Sequence, residues 1–182
     1  MNEKVLIIGA GHGLSTSIAR LFAAKGMKVG LAARNIEKLA ALADEIGAST
    51  FTCDASDPDA VVELFKAFGT DIGCPDILVY NPSSRVRGPI TEIDAAATKD
   101  AILVSAYGAF LAAQQAAIRM LKAGSGTMLF TGASAGVKGY PRSAPFAMGK
   151  FALRGLCQSL ARELSPQNIH VAHFVIDGHI HN

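Results

Sequence analysis

The apolar run Val5–Ile8 passes without a break into Gly9-Ala10-Gly11-His12-Gly13, and a helical pattern starts at once with Leu14. Few folds accept that order. A strand buried on both faces reads as a continuous run of Val, Ile and Leu, and such strands belong to parallel sheets covered by helices. Glycines directly after it predict a sharp turn that approaches something closely. Gly9 permits the turn, and Gly11 and Gly13 keep a Cβ out of the way. The N–H groups opening the helix then form an anion site. The segment Gly9 to Leu14, His12 included, is therefore expected to hold the pyrophosphate of a dinucleotide. The plainer alternative is a strand–helix turn without a ligand. No Lys follows in the manner of a Walker A sequence, which disfavours ATP hydrolysis.

The rest of the chain repeats the alternation. Further strands are expected at Lys28–Ala33, Ser49–Cys53, Asp76–Tyr80, Thr127–Thr131 and Ile169–Ile176. Between them lie helical patterns at Leu14–Lys25, with an apolar stripe of Ile18, Leu21 and Phe22, and at Ile36–Ile46. Others run from Pro58 to about Phe68, Thr98–Leu121 and Phe146–Leu164, the last stopped by Pro166. Strands separated by helices imply right-handed parallel crossovers. The expected fold is α/β, a Rossmann-type doubly wound parallel sheet in three layers. With 182 residues, no repeat and no linker, the span 1–182 reads as a single nucleotide-binding domain that stops after its sixth strand.

Composition narrows the partners. The net charge is +2 and no basic run occurs, so nucleic acid is not expected. Val5–Ile8 is too short for a signal peptide, and no stretch reads as a membrane span. Cys53, Cys74 and Cys157 lack any CxxC spacing, which argues against a disulfide framework or structural zinc and for reduced thiols in the cytoplasm. Cys53 reads as a small core residue. No metal site is expected: His170 and His173 have opposite strand parity, and His179 and His181 lack a third ligand.

The end of the second strand discriminates between dinucleotides. A carboxylate there accepts bonds from the ribose of NAD, whereas an Arg pairs with the 2′-phosphate of NADP. Ala33-Arg34 favours NADP, with NAD as the second choice, unless Arg34 is simply solvated. Methyltransferases that bind S-adenosylmethionine also use GxGxG, with an acid in the first strand and another ending the second. Neither acid is present, so that class ranks a distant third.

Beyond these positions the chain resembles the short-chain dehydrogenase/reductase family along nearly its whole length. Cys53-Asp54 is similar to the family's pair after the third strand, and the resemblance implies that Asp54 binds the adenine amino group. Tyr80-Asn81-Pro82-Ser83 stands where the family has Asn-Asn-Ala-Gly and keeps Asn81. Thr131-Gly-Ala-Ser-Ala-Gly136 resembles the serine segment, and Phe146-Ala-Met-Gly-Lys150 resembles Tyr-x-x-x-Lys. Asp177-Gly178-His179-Ile180 replaces Pro-Gly-x-Ile, which implies nicotinamide contacts from Gly178 and Ile180.

The family moves its proton with Asn, Ser, Tyr and Lys. The matching positions here are Ser105, Ala133, Phe146 and Lys150. Only the lysine is kept, and the resemblance gives it the nicotinamide ribose. A phenol beside an ammonium can supply a proton near neutral pH, and a hydroxyl can orient the carbonyl. Phe146 and Ala133 can do neither. Ser134, Ser105 and Tyr140 are candidate substitutes, each with a plainer structural role. Arg85 and Arg87 stand in the loop after strand four, where they could meet an anionic substrate, although a solvated loop is the favoured reading.

Three functions follow: an NADP-dependent oxidoreductase acting on a carbonyl or alcohol of a small molecule, with an altered proton donor; a dinucleotide-binding sensor or partner subunit without redox activity; and, remotely, a methyltransferase. The resemblance implies a homodimer or homotetramer built on the two long helices. The small residues Ala109, Ala112, Ala113, Ala116 and Ala117 are expected to allow close helix approach, the plainer alternative being that they pack on the sheet.

Overall fold

The computed structural model describes residues 3–178. Six parallel strands, β1 (Lys4–Ile8), β2 (Lys28–Ala33), β3 (Ser49–Thr52), β4 (Ile77–Tyr80), β5 (Gly126–Thr131) and β6 (Ile169–Phe174), form one sheet in the order β3-β2-β1-β4-β5-β6. The strand order reverses between β1 and β4, and ligands of such sheets bind in the crevice that opens there. Helices α1 (Leu14–Ala24), α2 (Ala40–Ile46), α3 (Pro58–Asp71), α4 (Ala95–Ile102), α5 (Gly108–Ala123) and α6 (Ala144–Leu164) cover both faces.

Strand alternation feeds two cores. Leu6, Ile8, Leu78, Tyr80, Met128 and Phe130 pack beneath α3, α5 and α6. Val5, Ile7, Val29, Leu31 and Val79 pack beneath α1 and α2. The expected strands all form, with ends shifted by a residue or two. The predicted helix from Ile36 begins as a 3-10 turn, Glu37–Leu39, before α2. In α1, Leu21 is exposed, contrary to the expected stripe; Ser15 and Ala19 are buried, with Ile18, Phe22 and Ala23 beside them.

The long helix holds the largest departure from expectation. Between α4 and α5, residues Leu103–Tyr107 form a π turn. Such turns need an external cause. Here the Tyr80 hydroxyl donates to the Val104 carbonyl at 2.6 Å. Gly108 follows, and a Cβ there would run into the Ala55 carbonyl oxygen and the Tyr80 hydroxyl. The helix must therefore bend its ladder to sit this close to the sheet.

Ala95–Ala123 is also long enough, and over an 18-residue window apolar enough with a mean hydropathy of 1.5, to cross a membrane by length and composition, which corrects the reading that no stretch is. Its position is that of a core helix. Ala109, Ala112, Ala113 and Ala116 are buried against the sheet and Ala117 packs beside them, so the alanine stripe faces inward. The outward stripe consists of Tyr107, Phe110, Ile118 and Leu121.

Candidate active site

The carboxyl end of β1 turns at Gly9, whose φ is +78°. Substitution is blocked there, because a Cβ would meet the backbone of Pro82. Gly9 thus serves the packing of the next loop as well as the turn. A Cβ at Gly11 would meet no protein atom. Gly13, at φ 91°, caps α1 without any side-chain hydrogen bond, so the helix start is open to an anion.

Local hydrogen bonds set the turn. The Ser15 hydroxyl donates to the Gly9 carbonyl at 3.0 Å, and that of Thr16 to the Gly11 carbonyl at 2.9 Å. The Asn81 amide donates to the Ser15 hydroxyl at 2.7 Å and, more weakly, to the Gly9 carbonyl at 3.4 Å. Asn81 therefore clamps the end of β4 to the glycine turn.

Two cavities open at this end of the sheet. The first, about 390 Å³, is lined by Gly9, Arg34, Lys38, Asp54 and Val104, with Asn81 and Ser83 on one side. Arg34 is exposed and close enough to Asp54 to help keep its carboxyl below the usual range. The larger causes are the hydroxyl and backbone N–H of Ser56, both donated to Oδ1, at 2.6 and 2.9 Å. Asp54 is therefore a turn residue as well as a cavity wall, while Asp57 caps α3. Lys38 escaped the sequence reading. It lies four residues beyond Arg34, in the 3-10 turn Glu37–Leu39, and its charge close to Arg34 in sequence was the available signal.

The second cavity, about 620 Å³, is lined by His12, Gly13, Leu14, Asn81, Ser83, Arg85, Thr131, Ala133, Phe146, Lys150 and Gly178, among others. Lys150 is 2% exposed. Its ammonium donates to the Thr131 carbonyl at 2.7 Å. Burial, and next the charge of Arg85, lower its pKa to about 8. The Arg85 guanidinium lies 4.4 Å over the Phe146 ring, and the Lys150 ammonium stands 5.8 Å from the same centroid. Arg85 is exposed, as the solvated-loop reading has it, and it also lines this cavity.

The candidate substitutes are elsewhere. Ser105 is buried in the π turn, where its hydroxyl accepts weakly from the Ser84 N–H at 3.4 Å. Ser134 opens a short 3-10 turn, and Tyr140 sits beside Lys138. None of the three lines either cavity. Ile180, His179 and His181 lie outside the described residues. Cys53 is buried, and its thiol is pushed up to about 11 by burial first and by Asp54 second, which leaves it unreactive.

A larger cavity, about 730 Å³, opens at the opposite, amino end of the strands beside Lys4, Asp76, Gly126 and Ile169. It holds no comparable concentration of buried chemistry, so size alone does not locate the site.

The turn and both cavities fit a dinucleotide: an open helix start for the pyrophosphate, Arg34 and Lys38 at one end, and Lys150 at the other. Comparisons with known proteins agree on the class. Residues 3–177 match the family model described as short chain dehydrogenase. The 3-oxoacyl-[acyl-carrier-protein] reductase MabA of Mycobacterium tuberculosis is 30% identical over 180 residues, 99% of this chain and 70% of the relative. The trans-4-hydroxycyclohexanecarboxylate dehydrogenase of Sinomonas cyclohexanicum is 30% identical over 181 residues, covering 93% and 70%. Among solved structures, a short-chain dehydrogenase from Rhodopseudomonas palustris superposes with a TM-score of 0.92 at 37% identity, covering 98% of this chain and 86% of that one. An NAD+-bound xylitol dehydrogenase gives 0.91 at 25%, covering 97% and 70%.

Proposed function

Since the chain belongs to the short-chain dehydrogenase family, we propose that it is an NADP(H)-dependent oxidoreductase of a small carbonyl or alcohol, in which Lys150 and not a phenol manages the proton. Residues 1–182 then act as one NAD(P)-binding domain. Its three free thiols suit a reducing cytoplasm. Family membership also sets aside the methyltransferase reading of the glycine turn.

The observation that carries the proposal is the burial of Lys150 at the floor of the second cavity. A lysine at that depth costs free energy and is retained for a task. When bound, the nicotinamide supplies or accepts the hydride. The protein's part is the proton. In reduction, Lys150 gives one of its ammonium protons to the carbonyl oxygen as the carbon gains hydride, and the neutral amine is recharged from solvent. In oxidation, the amine takes the hydroxyl proton. The Thr131 carbonyl fixes the ammonium and leaves two protons free. Phe146 and Ala133 contribute walls, and the chain is atypical for its family in that respect.

Gly9, Gly11, His12, Gly13 and Leu14 take the pyrophosphate, Arg34 and Lys38 the 2′-phosphate, and Asp54 the adenine. Asn81 holds the turn, and Gly178 borders the nicotinamide. One solved relative, the xylitol dehydrogenase, is NAD+-bound, so the end of β2 is the place to test. NADPH is expected to bind at least tenfold more tightly than NADH, and Arg34→Asp should reverse that order. Tighter NADH binding by the parent in a fluorescence titration, or an unchanged preference in the variant, would remove the NADP assignment.

A second reading has a specific observation behind it. Ser105, Ser134 and Tyr140 line neither cavity, so a chain that had lost its chemistry could retain the dinucleotide as a sensor or partner subunit. Turnover across aldehydes, ketones and alcohols separates the two.

The assembly is proposed to be a homodimer or homotetramer. The outward stripe Tyr107, Phe110, Ile118 and Leu121, with Met148 and Phe151 of α6, is exposed apolar surface suited to a second copy. Light scattering at micromolar concentration should give at least twice the monomer mass, and Phe110→Glu combined with Phe151→Glu should return the monomer. A parent that is monomeric throughout contradicts this.

A further inference from the structure

Resting on the assignment of the Lys150 cavity as the reaction site, we propose that its substrate carries a carboxylate, received by the Arg85 guanidinium. Three residues build the feature. Phe146 and Lys150 stand one turn apart on α6, and Arg85 reaches over from the loop after β4. The guanidinium and the ammonium lie 4.4 and 5.8 Å from one ring centroid. Two full positive charges therefore share one aromatic residue.

Neither cation is ion-paired among the described residues. No Asp or Glu is among the described residues lining the cavity. The two ion pairs among the described residues, Arg20–Glu45 and Lys66–Glu63, are elsewhere. Positive charge extends behind the wall as well: burial first, then Lys150 and Arg154, hold the His173 imidazole below its usual pKa. That imidazole sits beneath Gly132 with its Nε2 buried and unpartnered. A concave site of one sign, with a low-dielectric aromatic wall, attracts and concentrates the opposite charge.

The geometry selects among anions. A guanidinium lying over a ring keeps its N–H donors in its own plane, around its edge, and presents a two-pronged fork. A carboxylate matches that fork with two parallel hydrogen bonds. Lys150 is too buried and too committed to Thr131 to act as a second surface cation, but it retains protons for the reacting oxygen. A substrate with its carboxylate close to the carbonyl, such as a 2-oxo acid or the matching hydroxy acid, would set one end on Arg85 and direct the other toward Lys150.

Calorimetric titration of the NADPH-saturated protein with phenylglyoxylate, its uncharged methyl ester and phenyl phosphate tests this. The acid should bind at least tenfold more tightly than the ester, and R85M should reduce that ratio to about one. R85K keeps the charge without the fork and should recover only part of it. An ester that binds as well as the acid overturns the proposal, as does an acid affinity unmoved by R85M. Tighter binding of phenyl phosphate overturns the choice of carboxylate. A tenfold loss of NADPH affinity in R85M places the guanidinium on the dinucleotide instead and also overturns it. Should the parent not bind NADPH at all, the assignment of the oxidoreductase fails separately. Phenylglyoxylate titrated into the cofactor-free protein, parent against R85M, then still decides for or against the anion site.

Discussion

Lys150→Met should lower turnover by about a hundredfold to ten-thousandfold while leaving the protein folded. The side chain is fully buried, so an apolar replacement of similar length fills the space, and only a Thr131 carbonyl loses its partner. The charge is the costly part of this residue. Because its folded pKa of about 8 lies below the ordinary lysine value, the unfolded chain binds more protons between those two pH values. Stability of the parent should therefore rise as pH climbs through that window, and below it the buried ammonium is a standing cost. The variant should lose this rise and be at least as stable near neutrality, read by thermal unfolding across pH.

Activity carries the opposite sign. Reduction needs the ammonium, so its rate should fall as pH rises through about 8. Oxidation needs the amine and should gain over the same interval. The groups facing Lys150 that can move this midpoint are Arg85 from the loop after β4, Cys157 from α6 and His173 from β6. Removing Arg85 should shift it upward. Parent-like turnover in Lys150→Met would sink the assignment of the proton to this residue, whatever the stability data show.

The second large effect is a gain. Phe146→Tyr together with Ala133→Ser should accelerate carbonyl reduction about a hundredfold over the parent. Phe146 is 8% exposed, already flanked by two cations, so a phenol placed there would ionise more easily than usual. Lys150 then serves to lower the phenol pKa, and the alkaline fall in rate should move to the new group. The serine adds an orienting hydroxyl to the cavity wall. If Phe146→Tyr instead slows an active parent, the pocket depends on the bare ring, and Tyr140→Phe and Ser134→Ala become the diagnostic changes.

The architecture was largely legible in the sequence because burial on both faces leaves a direct record. Val5–Ile8 and Ile77–Val79 carry no polar residue, and the glycines mark the turn between strand and helix. What escaped was decided by distant partners. Nothing in Leu103–Tyr107 departs from a helical period; the π turn comes from Tyr80 and Ala55, which press on it from the sheet side. The alanines of α5 left two neighbours open for a related reason. A stripe of small residues shows that something approaches closely, not whether it is a sheet or a second subunit. At the site, Arg34 and Lys150 could be found because each sits at a fixed offset from a strand or within a helical motif. Arg85 could be named only alongside Arg87, since which of the two reaches the cavity depends on how a loop folds over a ring on a helix far along the chain. Tyr140 failed as a cleft residue for the same reason.

Asn81 and Ser83 border both cavities, whereas Arg34 borders only the first and Arg85 only the second. The loop after β4 is thus a party wall between two rooms. On the proposed assignments, a change at Arg34 retunes the choice of dinucleotide without touching the substrate, and a change at Arg85 does the reverse. Substitutions at Asn81 or Ser83 disturb both rooms at once. Natural variation in such a chain can therefore drift at the two arginines separately, while the wall between them accepts only changes that suit both occupants.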